Sequence, residues 1–163
     1  MRVLGIDPGT ATTGWAIIEE KKGEIKALSY GHIQTEKYKT EEERIMEISE
    51  DLGKIIEKYQ PQESAIEKIF YFKNQKTVIA VAQARGAILL TLKLKNIKIA
   101  SYTPLQVKQA LTGYGRAEKG QVQLMAKNIM KLKSLPKPDD TADAIAIAIC
   151  HINSRKLNNL KNN

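Results

Sequence analysis

Ile45, Ile48, Leu52, Ile55, Ile56 and Tyr59 follow one another at spacings of 3, 4, 3, 1 and 3, an apolar stripe on a 3.6-residue period that Pro61 closes. Thr40-Glu41-Glu42-Glu43 ahead of it has the form of a capping box, with acids in the first turn where the helix dipole favours them. A helix with one buried face needs a layer to pack on, and the flanking sequence supplies one. Residues 2–7 are apolar and β-branched and stop at Pro8-Gly9, residues 14–18 read as a second strand, and residues 24–34 alternate loosely after a turn at Gly23. Together they predict an antiparallel meander.

Beyond the stripe the pattern alternates. Residues 64–69 suit a strand, 74–94 a helix rich in Ala and Leu, and 97–101 another strand. Pro104 opens a helix through 111 that Gly113-Tyr114-Gly115 ends, a further helix covers 118–131, and a last one runs from Asp139-Asp140 to about Ser154. The order β-β-β-α-β-α-β-α-α-α predicts an α/β fold on a mixed five-stranded sheet flanked by helices. Residues 1–154 form one domain on this reading, and residues 155–163, rich in Asn and Lys, are expected to be a disordered polar tail.

Charge narrows the partner. The chain of 163 residues carries 26 basic and 18 acidic residues, a net of +8, and the excess is concentrated. Residues 71–138 hold 13 Lys and Arg against the single acid Glu118, so that stretch is +12 and the remainder −4. An anionic partner, nucleic acid or an acidic membrane surface, is implied, with a solvated lysine face as the plain alternative. The longest apolar runs fall far short of the roughly 20 residues of a membrane span. The start of the chain carries no secretion signal, and a lone Cys150 builds neither a disulfide nor a cysteine zinc site, so a cytoplasmic location is expected.

Four acids stand where chemistry is plausible. Asp7 ends the first strand; Glu67 sits inside the apolar run Ala65-Ile66-Glu67-Lys68-Ile69-Phe70, where burial costs several kcal/mol unless compensated. Asp140 and Asp143 share one face of the last helix. Taken singly, Asp7 reads as a turn former and the Asp140/Asp143 pair as helix caps. Taken together, four carboxylates with little histidine suit Mg²⁺ or Mn²⁺ rather than zinc, and two such ions hydrolyse phosphodiesters. The basic stretch between Glu67 and Asp140 then has phosphates to bind.

The motifs that carry these acids are specific. Val3-Leu4-Gly5-Ile6-Asp7-Pro8-Gly9-Thr10 with Thr13-Gly14, Ala65-Ile66-Glu67 with Phe70 and Lys73-Asn74, Gln83-Ala84-Arg85-Gly86, Val107-Lys108-Gln109, Gly113-Tyr114-Gly115, Ala117-Glu118-Lys119, Gln121-Val122-Gln123, and Asp140 with Ala142-Asp143-Ala144 and His151 occur in one order over residues 1–152. In this the chain resembles the RuvC family of bacterial Holliday-junction resolvases. The resemblance implies a ribonuclease-H-like fold, a homodimer on four-way junction DNA, and two Mg²⁺ ions per site, with Mn²⁺ as substitute. It also implies paired nicks leaving 5′-phosphates and a working link to the RuvA-RuvB branch-migration complex. Asp7, Glu67, Asp140 and Asp143 match the family's metal-binding carboxylates, Lys108 and Lys119 its DNA-contacting lysines, and Phe70 its aromatic at the junction centre. Lys68 departs from the Gln expected in many members of the family and adds positive charge beside that contact.

Other signals lead nowhere or elsewhere. Gly115-x4-Gly120 is followed by Gln121 instead of Lys, and Glu118 stands where a dinucleotide fingerprint needs Gly. Cys150 reads as a core thiol, and Trp15 as core. His151, eight residues after Asp143, reads either as a packing histidine or as a helper beside the site. The opening Gly5-Ile6-Asp7-Pro8-Gly9-Thr10 also looks like the phosphate loop of actin-like ATPases and sugar kinases, which need two such domains. A nuclease of the same superfold acting on RNA–DNA hybrids or ribosomal RNA precursors is a second alternative. A non-catalytic DNA-binding module is a third, and it leaves Glu67 unexplained.

Overall fold

The computed structural model describes residues 1–69 and 75–161. Three antiparallel strands, β1 (Arg2–Asp7), β2 (Thr12–Lys21) and β3 (Glu24–Gln34), lead into helix α1 (Glu41–Tyr59). Strand β4 (Glu63–Glu67), helix α2 (Gln75–Leu94) and strand β5 (Lys98–Tyr102) follow, then α3 (Pro104–Thr112), α4 (Lys119–Ile129) and α5 (Asp139–Lys161). The five strands form one sheet in the order β3-β2-β1-β4-β5. β1 pairs antiparallel with β2 and parallel with β4, and β4 pairs parallel with β5.

Strand alternation sends two sets of side chains to opposite faces. Val3, Ala16, Ile18 and Ala65 pack with α3, α4 and α5, while Leu4, Ile6, Ile17 and Ile66 pack with α1 and α2. The predicted stripe does what its period requires: Ile48, Leu52 and Ile56 are buried, each contributing roughly 2 kcal/mol by removal from water. Its capping box is formed, since the Thr40 hydroxyl accepts from the Glu43 N–H and the Glu43 carboxylate from the Thr40 N–H. Thr103 and Gln106 repeat the device at α3, with Pro104 at the first helical position.

Two expectations are corrected. The last helix does not stop near Ser154 but continues to Lys161, so residues 155–161 are helical where a disordered tail was expected. Contacts remote in sequence extend it: Arg155 Nη2 lies 2.6 Å and Lys156 Nζ 3.2 Å from the Glu20 carboxylate on β2. Burial alone would raise the Glu20 carboxyl, but Lys156 and Arg155 outweigh it and hold it below the usual range. Trp15 packs against the α1–α2 side of the core, as expected of it, but at its edge and partly exposed, its ring 6.1 Å from that of Tyr59.

Candidate active site

Asp7 and Glu67 end neighbouring parallel strands, one step beyond the paired residues Ile6 and Ile66, so register alone sets the two carboxylates side by side. That edge of an open α/β sheet, outside the carboxyl ends of its parallel strands, is where such folds bind ligands. The first turns of α5 bring Asp140 and Asp143 there because small residues let the helix settle on the sheet. A Cβ on Gly5 would fall 2.1 Å from the Ala144 carbonyl oxygen.

The electrostatics record how close the acids stand. Burial, then the charges of Glu67, Asp143 and Asp140, push the Asp7 carboxyl well above the carboxylate range. Burial and the charge of Asp143 raise Glu67 to about 7. α4 supplies the counterweight. Lys119 Nζ lies 2.8 Å from Asp143 Oδ2, and Gln123 Nε2 donates to Asp143 Oδ1 at 3.1 Å. Asp7, Glu67 and Asp143 line one open cleft of about 350 Å³ with Lys108, Lys119 and Pro104.

Five of the seven residues singled out from the sequence, Asp7, Glu67, Lys108, Lys119 and Asp143, line this cleft, and Asp140 opens α5 beside it with its carbonyl against Gly14, the cross-strand partner of Asp7. Phe70, like Lys73 and Asn74, lies outside the described residues. Among the described residues no three His, Cys, Asp or Glu side chains are drawn tightly enough together to hold an ion as they stand. Asp143 pairs with Lys119.

His151 does not serve the cleft. Its Nε2 lies 2.8 Å from Oε2 of Glu63, at the opposite end of β4 from Glu67, and its Nδ1 lies 2.8 Å from the hydroxyl of Tyr102, the β5 residue paired with Glu67. It is a packing histidine. Cys150 is a core thiol that burial pushes up to about 11. Gln123, within Gln121-Val122-Gln123, has no role assigned by the sequence; its spacing of four from Lys119, which puts both donors to Asp143 on one face of α4, is the signal that marks it.

A mixed five-stranded sheet with clustered carboxylates at the ends of its central parallel strands defines the class: a ribonuclease-H-like, carboxylate-centred domain. Residues 3–151 match the family model described as crossover junction endodeoxyribonuclease RuvC, and the chain belongs to that family. The RuvC protein of Syntrophomonas wolfei is 53% identical over 157 residues, covering 96% of this chain and 91% of that one. That of Fusobacterium nucleatum is 54% identical over 154 residues, covering 94% and 81%. Among solved structures, T. thermophilus RuvC in complex with Holliday junction substrate superposes with a TM-score of 0.92 at 31% identity, over 97% of this chain and 96% of that one. The yeast mitochondrial Holliday junction resolvase shares the fold alone, with a TM-score of 0.72 at 14% identity, over 95% and 79%.

Proposed function

We propose that this protein is a crossover junction endodeoxyribonuclease that resolves four-way DNA junctions in the cytoplasm, in recombination and repair, by metal-dependent phosphodiester hydrolysis. The observation that carries the reading is the convergence of Asp7 and Glu67, both raised by burial and by neighbouring negative charge, beside Asp143 and two lysines. Buried acids that repel one another are satisfied by a cation, and an all-oxygen donor set suits Mg²⁺, with Mn²⁺ as substitute. Asp7, Glu67, Asp140 and Asp143 would hold it; two ions, when bound, would activate a water and stabilise the leaving oxygen.

This chain's residues do the rest. Lys108 and Lys119 face the cleft from α3 and α4 and would seat the phosphates flanking the scissile bond. Water would add to phosphorus as the P–O3′ bond breaks and a proton passes to O3′, leaving a 5′-phosphate on one side of the nick and a 3′-hydroxyl on the other side of the same strand. Phe70 is proposed to stack on an unpaired base at the junction centre.

Two nicks need two sites, and a homodimer with two-fold symmetry supplies them. Ala84, Ile88 and Leu92 of α2 are buried against this chain's own core, while Ile79, Leu90 and Leu94 are exposed, the pattern of a helix with a second face for a partner copy. The RuvA-RuvB branch-migration complex is proposed as the motor that delivers the junction.

The test is Asp7→Asn assayed on a mobile four-way junction, on linear duplex and on RNA–DNA hybrid, with Mg²⁺. Wild type is expected to cut the junction alone; the variant is expected to bind it within a few-fold of wild type and not cut it. Cleavage by the variant at the wild-type rate overturns the carboxylate-centred reading.

A further inference from the structure

We infer that Gln123 is a positioning residue for hydrolysis, its side-chain amide fixing the Asp143 carboxylate so that Oδ2 is left for a divalent cation. The inference rests on the metal-ion reading above and extends it to a residue outside the carboxylate set. Among the described residues, no side chain donates a hydrogen bond to the carboxylates of Asp7, Glu67 or Asp140, whereas Asp143 receives two donors from α4. The donors differ in kind. Lys119 is charged and its side chain is 59% exposed, so it competes with a cation for Oδ2 and swings free readily. Gln123 is buried at 7% exposure, on the face of α4 that also buries Val122 and Ala126, so its amide is held in place.

A neutral donor suits the task. The Nε2–H takes one lone pair of Oδ1 without cancelling the negative charge that a cation needs. The carboxylate torsion of an Asp is intrinsically broad, so an Asp143 without this bond turns freely, and Lys119 becomes its only anchor on α4. Partners of this kind, bonded to a ligand rather than to the ion, typically govern metal affinity by about 10–100-fold.

The experiment uses Gln123→Met, which keeps the volume and removes the donor. Mn²⁺ binding to the DNA-free protein is followed by electron paramagnetic resonance, alongside the Mg²⁺ dependence of junction cleavage and junction binding in EDTA. We expect Mn²⁺ affinity to fall by about 10-fold or more and half-saturation by Mg²⁺ to rise in step, with the cleavage rate recovering at high Mg²⁺ and junction binding unchanged. A purely structural loss would depress the rate at every Mg²⁺ concentration, and that result overturns the inference. In wild type, independent of any variant's folding, the ¹⁵N side-chain resonance of Gln123 should shift on Mg²⁺ addition with the midpoint of site occupancy; an unmoved resonance also overturns it. If wild type binds no Mn²⁺, the metal-ion reading falls and takes this inference with it. If wild type and Gln123→Met bind Mn²⁺ equally, this inference falls alone.

Discussion

Gly14 and Asp140 meet backbone to backbone: a Cβ built on Gly14 would lie 1.9 Å from the Asp140 carbonyl oxygen. Gly14 is also the cross-strand partner of Asp7, so the same residue that lets α5 touch the sheet stands opposite the central carboxylate. The absence of a side chain at Gly14 is therefore part of the site.

Gly14→Ala should force α5 away from β2 by more than an ångström, since real Cβ contacts stay beyond 3.0 Å. Overpacking of this kind costs on the order of 1–3 kcal/mol. Misplacement of catalytic groups by that distance costs on the order of 100-fold in rate. Thermal melting and single-turnover cleavage check both, and a variant with wild-type melting and rate would show that the contact relaxes without consequence.

The raised carboxyls predict an inverted pH dependence for the metal-free protein. The Glu67 carboxyl goes from an ordinary 4.5 to about 7 on folding, so the folded state binds more protons across that window. Its contribution to stability is full below pH 4.5 and is lost as pH rises through 7. In EDTA, wild type should melt lower at pH 8 than at pH 5.5. Glu67→Gln should flatten that slope and raise stability at pH 8 by on the order of 1–3 kcal/mol. Added Mg²⁺ should do the same for wild type. An identical slope in wild type and Glu67→Gln would remove Glu67 as its source.

The elements were legible in the sequence where local chemistry decides them. Thr40 with Glu43 and the Ile48-Leu52-Ile56 stripe place α1, and Pro104 with Gly113 brackets α3, because caps and periodicity act within a few residues. Of the four acids only Glu67 lacks a local justification in the sequence; Asp7 reads singly as a turn former and Asp140 and Asp143 as caps, so the set is legible only when the four are taken together with the motifs that carry them. The end of α5 was not. Arg155 reaches Glu20, 135 residues away, and no composition rule sees that partner. His151 is ambiguous in the sequence for the same reason, since it lies on α5 and its partners Glu63 and Tyr102 come from β4 and β5. Gln123 looked like an ordinary helix residue because its one telling bond joins two helices.

Lys108→Ala and Lys119→Ala should each reduce the salt dependence of junction binding by about 0.9 in log–log slope, the value of one phosphate contact. The two should part company in metal binding. Lys119 pairs with Asp143, so its removal frees a ligand oxygen and should tighten Mn²⁺ binding, whereas Lys108→Ala should leave it unchanged. Unaltered salt slopes for both would make them solvated lysines.

The dimer face gives the last prediction. On α2, Ile79 and Leu90 are each 60% exposed, Leu94 is 72% exposed, and a Cβ on Gly86 between them would meet nothing within 4 Å. An apolar strip with a gap at its centre suits close approach by a second helix, and two-fold symmetry would bring the same strip of the partner copy against it. Burying large apolar side chains at such a contact stabilises it by roughly 1.5–3 kcal/mol each, so two charges placed there should suffice to break it. Ile79→Glu with Leu90→Glu should sediment as a monomer at micromolar concentration and stay folded, because neither residue lies in the chain's own core, with a melting temperature that no longer depends on protein concentration. On a supercoiled cruciform plasmid, wild type should give linear product by two nicks within one complex, and the double variant nicked circles. Linear product from the monomeric variant at the wild-type rate would exclude α2 as the face that couples the two cuts.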